Sequence, residues 1–148
     1  MLLEVRNLHT WFSIKKLFGK TLYVRAVDGV SFNLKEGETI AIVGESGSGK
    51  TTLGKTCLRL IKPTQGKIVY KGKDITNVDS SDLLWYRREA QIIYQDPFSS
   101  LSPFFQIYRI LEEPLIIHKI GDRRERENLI HQALEAVKLT PVEESYDS

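Results

Sequence analysis

Apolar and polar residues alternate through LLEVRNLHTWF, residues 2–12, which predicts a half-buried strand with Leu3, Val5 and Leu8 on one face. Alternation resumes in YVRAVDGVSFNL, residues 23–34, through Val24, Ala26, Val30, Phe32 and Leu34. This predicts a second strand with a turn or bulge at Asp28-Gly29. KEGE is a turn carrying Gly37, and TIAIV, residues 39–43, is a continuous apolar run of the kind found in strands covered on both faces. Leu53, Cys57, Leu58 and Ile61 then recur at helical spacing, predicting a helix from Lys50 to Ile61 that ends before Lys62-Pro63. GKIVYKGKDI reads as a short strand and turn. SSDLLWYRREA reads as a helical turn or two capped by Ser80 or Ser81. QIIYQ, residues 91–95, is a second candidate buried strand, and a loop rich in proline and serine, DPFSSLSPF, follows it. Helical periodicity returns in QIYRILEEPL and RERENLIHQALEAVKL before a polar tail, TPVEESYDS.

Composition narrows the class. The 148 residues are the size of one domain, and 41% hydrophobic with 27% charged residues are ordinary globular values. A formal charge of +2 with scattered basic residues gives no basis for a nucleic-acid partner. Cys57 is the single cysteine, so no disulfide forms within the chain, in keeping with a reducing, cytoplasmic setting. No stretch approaches the roughly 18 apolar residues of a transmembrane helix.

The junction after TIAIV carries the chemistry. GESGSGKT fits G-x-x-x-x-G-K-[ST], with Gly44, Gly49, Lys50 and Thr51 in the required places. A chance match in a chain this long has a probability on the order of one per cent. The match also lies between a predicted buried strand and a predicted helix, where backbone N–H groups and a helix N-terminus converge on an anion. Gly44, Gly47 and Gly49 allow close approach of phosphate. Lys50 supplies a mobile charge for β- and γ-phosphates, and the Thr51 hydroxyl is a candidate Mg²⁺ ligand. Glu45, Ser46, Ser48 and Thr52 complete the candidate phosphate loop.

The run AVDGVSFNLKEGETIAIVGESGSGKTTL resembles the ATP-binding subunits of ABC transporters, and IIYQDPFSSLSP with EEPLIIH resembles the oligopeptide/dipeptide importer branch. The resemblance spans Leu3 to about Leu139. It implies an α/β fold, a P-loop NTPase (RecA-like) core with an N-terminal antiparallel β subdomain, truncated before the remaining core strands. Residues 1–36 are then mainly the β subdomain, 37–95 the P-loop to Q-loop core with a β insertion, and 96–148 the start of a helical subdomain. It implies ATP and Mg²⁺ as cofactors. Gln95 is the Q-loop glutamine, contacting nucleotide and Mg²⁺. Phe12 stacks on adenine, with Trp11, Phe18 and Tyr23 as the rival aromatics.

The same resemblance implies transmembrane permease subunits, a second ATP-binding subunit in a head-to-tail dimer, and indirectly an extracellular or periplasmic solute-binding protein. The location implied is peripheral, on the cytoplasmic face of the membrane. No LSGGQ signature, no apolar strand ending in Asp-Glu after Gln95 and no switch histidine occur in these residues, so no catalytic residue is assigned. The expected reading is the front part of a longer ATPase subunit. The alternatives are a nucleotide- or partner-binding module without turnover, or a non-transport ABC ATPase. His9, His118 and His131 lack metal-ligand spacing and read as surface or packing residues. Cys57 reads as a small buried hydrophobe, Trp85 as the anchor of a short helix, and DRRERE as a solvated helix start.

Overall fold

The computed structural model describes residues 1–14, 21–97, 101–102 and 104–139. Phe18, the basic stretch around it and the polar tail lie outside the described residues. The chain divides into two compact units, Met1–Gln91 and Ile92–Ser148.

The first unit is built on an antiparallel sheet of order β2-β1-β3-β4, from β1 (Leu3–Ile14), β2 (Leu22–Leu34), β3 (Gln65–Tyr70) and β4 (Lys73–Asp74). Both long strands form where alternation predicted them, but three bulges reset their faces. Asn7, at φ 44°, is an extra residue in β1, and its N–H donates to Ser31 Oγ at 2.8 Å. That is why Val5 and Leu8, three apart, share the core face. In β2 the extra residues are Gly29, at φ 76°, and Ala26. Leu3, Val5, Leu8, Thr10 and Phe12 therefore pair with Leu34, Phe32, Val30, Val27 and Val24 along one face. Sequence alternation assigned Ala26 to that face; the bulge gives its place to Val27, which is buried.

Helix α1 (Lys50–Cys57) packs on this face. The core contains Leu53 and Cys57 from α1, Val5, Leu8 and Val27 from the hairpin, and Ile68, Tyr70 and Tyr86. The helix stops four residues short of the expected Ile61. Arg59 adopts φ 56°, its N–H donates to Thr56 O, and Leu60 N–H donates to Lys55 O at 2.9 Å, the double bond pattern of a Schellman stop. The Arg59 guanidinium turns inward, donating to Ile75 O at 2.8 Å and Val78 O at 3.0 Å. Beyond β4 a 3₁₀ turn (Ser80–Leu83) leads into α2 (Leu84–Glu89). Neither Ser80 nor Ser81 caps it; the N-cap is Asp79, without a side-chain hydrogen bond. Trp85 only flanks the core, and the anchor is Tyr86, whose hydroxyl donates to Cys57 O at 2.8 Å.

Neither predicted buried strand forms. Residues 39–43 and 91–95 carry no ladder with any described strand, and Val43 and Ile93 are 92% and 91% exposed. An apolar β-branched run becomes a strand only when neighbours supply its hydrogen bonds, and none of the described strands does so.

The second unit holds α3 (Ile107–Ile117) and α4 (Arg123–Ala136). Asp122 and Glu125 form a reciprocal capping box at the start of α4. Arg126 of α4 bonds Glu112 of α3 at 3.2 Å. No helix among the described residues is long and apolar enough to cross a membrane.

Gly66, at φ 94°, faces the β1 bulge so closely that a Cβ would strike Asn7 O and lie 2.7 Å from Arg6 O. Gly66→Ala should therefore lower the unfolding free energy by roughly 3 kcal/mol. Gly54→Ala, mid-helix with nothing within 4 Å of the added methyl, should be neutral or stabilise by up to ~1 kcal/mol. Urea denaturation followed by tryptophan fluorescence checks both; equal midpoints for the two variants would contradict the bulge.

Candidate phosphate-binding site

Residues 44–49 make a tight loop ahead of α1. Ser48 N–H donates to Glu45 O at 3.2 Å, and Gly47 and Gly49 sit at φ 80° and 92°. Gly49 is the N-cap of α1 and offers no side chain. The first helical hydrogen bond runs from Leu53 N–H to Gly49 O at 2.8 Å, so the amides of Lys50, Thr51 and Thr52 have no intrahelical acceptor. The sequence uses glycine where bulk is forbidden. A Cβ on Gly44 would lie 2.8 Å from Ser48 Oγ, and one on Gly49 would collide with the carbonyl of Ala26.

Lys50 curls back into this loop. Its ammonium donates to Gly44 O at 2.7 Å, Glu45 O at 2.6 Å and Ser48 Oγ at 3.3 Å. Positive charge, three helix-end amides and the positive end of the helix dipole thus meet at one place, which suits an anion with several oxygens. A cavity of about 480 Å³ adjoins it, lined among others by Ala26, Val27, Val43, Gly44, Gly49 and Lys50.

The aromatic candidates separate by face. Phe12 pairs with Val24 and shares the face of Thr10, whose hydroxyl meets Thr56 of α1. It is 43% exposed and does not itself line the cavity. Trp11 belongs to the opposite face, where its Nε1 donates to Asp28 Oδ1 at 3.2 Å and Arg25 lies 4.9 Å above its ring. Tyr23, opposite Ser13, is on that outer face too.

The cavity crosses this division, since Arg25 and Asp28 of the outer-face network line it as well. Asp28, on the cavity wall, is held below the usual carboxylate range chiefly by its 2.7 Å hydrogen bond with His9, with Trp11 and Arg25 adding to it. His9 is thus a packing and pairing residue. Thr51 is exposed in the first turn of α1. Gln95 belongs to the second unit, in an exposed bend. No cluster of three or more metal-ligating side chains occurs among the described residues. Sequence reading missed the part of Ala26, whose carbonyl abuts Gly49, and the buried pair Thr10 and Thr56. Periodicity sorts apolar from polar residues and has no signal for a backbone carbonyl or a hydroxyl turned inward.

The profile of a family described as ABC transporter matches residues 27–146. The oligopeptide transport ATP-binding protein AppF of Bacillus subtilis is 45% identical over 143 residues, covering 95% of this chain and 44% of that protein. The dipeptide transport ATP-binding protein DppF of Haemophilus influenzae is 42% identical over 139 residues, covering 93% and 42% respectively. The chain spans less than half the length of these relatives. A dimeric post-hydrolysis structure of the ATP-binding cassette MJ0796 with ADP and Pi superimposes with a TM-score of 0.73 at 27% identity, over 90% of this chain and 56% of that one. A second dimeric MJ0796 structure gives 0.72 at 28% identity, over 98% and 60%.

Cys57 closes the seam between α1 and the sheet, and burial pushes its thiol up to about 12. At pH 8 such a thiol is ionised on the order of one part in ten thousand. A disulfide-exchange reagent should therefore label Cys57 rapidly only in denaturant. Fast labelling of the native chain would mean that the seam is open.

Proposed function

The chain belongs to the ABC transporter family, and on that premise we propose that its loop from Gly44 to Thr52 binds the phosphates of ATP. The observation that carries this reading is the convergence of the Lys50 ammonium and three amides without helical acceptors on one glycine-lined cradle. Lys50 exchanges its loop acceptors for phosphate oxygens. Thr51, exposed on the first turn, would hold Mg²⁺, which would neutralise phosphate charge when bound; Gln95 keeps the Q-loop role, as nucleotide and Mg²⁺ contact, that the resemblance implies. Phe12 supplies the adenine platform, since it alone of Trp11, Phe12 and Tyr23 shares the face that carries α1.

The protein of which these residues form part is read as the ATP-binding subunit of an importer of peptides or a similar small solute. It couples Mg-ATP binding and hydrolysis to uptake. The names of AppF and DppF support that branch. Its partners are transmembrane permease subunits, a second ATP-binding subunit packed head to tail, and indirectly a solute-binding protein; its place is the cytoplasmic face of the membrane. Residues 1–36, 37–95 and 96–148 then serve as β subdomain, P-loop to Q-loop core and start of the helical subdomain. These 148 residues contain no LSGGQ and no apolar strand ending in Asp-Glu, so by themselves they bind nucleotide without turning it over at the family's rate.

Calorimetric titration with ATP and with inorganic tripolyphosphate tests the site. Lys50→Ala should weaken both by about 1.5–3 kcal/mol, the worth of a charge-assisted contact. Phe12→Ala should weaken ATP alone by roughly 1 kcal/mol, and Tyr23→Ala neither. Unchanged affinity in Lys50→Ala would remove the phosphate assignment, and an effect of Tyr23→Ala without one of Phe12→Ala would move the base to the other face. Turnover is tested separately by phosphate release from the monodisperse chain, with Lys50→Ala as the contamination control. Robust Mg²⁺-dependent release lost in that variant would overturn the claim that hydrolysis needs residues beyond these.

A further inference from the structure

Thr10 and Thr56 are 1% and 0% exposed, and their hydroxyl oxygens are 3.0 Å apart in the seam between β1 and α1. Thr56 donates its one hydroxyl hydrogen to Thr52 O at 2.7 Å. A hydroxyl has a single hydrogen, so Thr10 must be the donor to Thr56 Oγ1. The result is a relay of fixed direction, from Thr10 through Thr56 to Thr52, across 46 residues of sequence. Its ends are informative. Thr52 lies in the first turn of α1, two residues after Lys50, an axial rise of roughly 3 Å. On the strand side, Phe12 follows Thr10 on the same face, about 7 Å further along.

An apolar pair of the same shape would fill this seam without a polar group to satisfy. It would also allow the helix to slide against the strand, whereas a directional hydrogen bond does not. A second contact acts in the opposite sense: the carbonyl of the bulged Ala26 stands against Gly49 and stops the loop from coming closer. The relay opposes withdrawal of the helix and the carbonyl opposes closer approach of the loop. Together they fix the loop relative to the hairpin that carries Phe12.

We propose that Thr10 and Thr56 are positioning residues that hold the aromatic platform and the phosphate loop at the separation of a nucleoside triphosphate, so that binding of the base and of the phosphates reinforce one another. The inference rests on the nucleotide reading above. It makes the relay matter for a ligand that spans both ends and not for either end alone.

The test uses the full chain and three probes, ATP, inorganic tripolyphosphate and adenosine. Thr10→Val should lower ATP affinity about fivefold, a coupling of the size found between contacting residues, and leave tripolyphosphate and adenosine within about twofold. Thr10→Ser, which keeps the donor, should restore ATP binding. In a Phe12→Ala background Thr10→Val should have no further effect on ATP, because nothing remains to be coupled. Thr56→Val, which removes the acceptor, should reproduce Thr10→Val and serves in its place if that variant does not fold. Wild-type ATP affinity in Thr10→Val or Thr56→Val, an equal loss for ATP and tripolyphosphate, or failure of Thr10→Ser to rescue would each overturn the proposal. Those outcomes leave the Lys50→Ala effect standing. A wild-type chain that binds neither ATP nor tripolyphosphate removes the nucleotide reading itself and the proposal with it.

Discussion

The register between β1 and β2 is the constraint on which the rest of the first unit depends. A regular ladder would put Leu8 on the face opposite Val5. The extra residue at Asn7 brings Leu8 and Thr10 back to the core side, and the two extra residues in β2 bring Val24 and Val27 opposite Phe12 and Thr10. From that shift follow the apolar bed for Leu53 and Cys57, the meeting of Thr10 with Thr56, and the placing of the Ala26 carbonyl against Gly49. Bulges here are the means by which a sheet of ordinary composition presents one apolar floor and one hydroxyl to a helix. The opposite face is left to a polar network of His9, Asp28, Trp11 and Arg25.

The helices are ended by a shared device. α1, α3 and α4 each stop with a basic residue in the left-handed region, Arg59 at φ 56°, Lys119 at 53° and Lys138 at 60°. In each the next residue donates back to the carbonyl five positions earlier, as Leu60 to Lys55, Ile120 to Leu115 and Leu139 to Leu134. Glycine would adopt this conformation with less strain. At α3 and α4 the lysine instead adds positive charge near the carbonyl end of the helix, where the dipole favours it, whereas the Arg59 guanidinium is turned inward to Ile75 O and Val78 O. Two of the chain's lysines are thus placed at helix ends, in keeping with the scattered distribution of basic residues along the sequence.

What could be read from the sequence was what is local. The candidate phosphate loop is contiguous, its residue types are constrained one by one, and its helix begins where the pattern put it, at Lys50. The long strands and the two helices of the second unit were legible because their periodicity extends over ten residues or more. Errors arose where a single residue changes the geometry without changing composition. Asn7 and Ala26 carry no mark of a bulge, and Arg59 gave no warning of a helix stop because the usual signal there is glycine. The runs at 39–43 and 91–95 failed for another reason: apolar composition predicts burial, but a strand needs a partner, and pairing is not encoded within the run itself. Of the candidate site, the cradle was legible and the Thr10–Thr56 tie was not, since its members are 46 residues apart.

The closed grip of the loop on the Lys50 ammonium has a consequence for what binding measures. Three loop oxygens already solvate that charge, so an anion bound there would have to compete with them for the ammonium. An ammonium already held by the loop would have less side-chain freedom left to lose on binding. Discrimination then rests on charge: a neutral acceptor offers the ammonium nothing that the loop does not, whereas an oxyanion does.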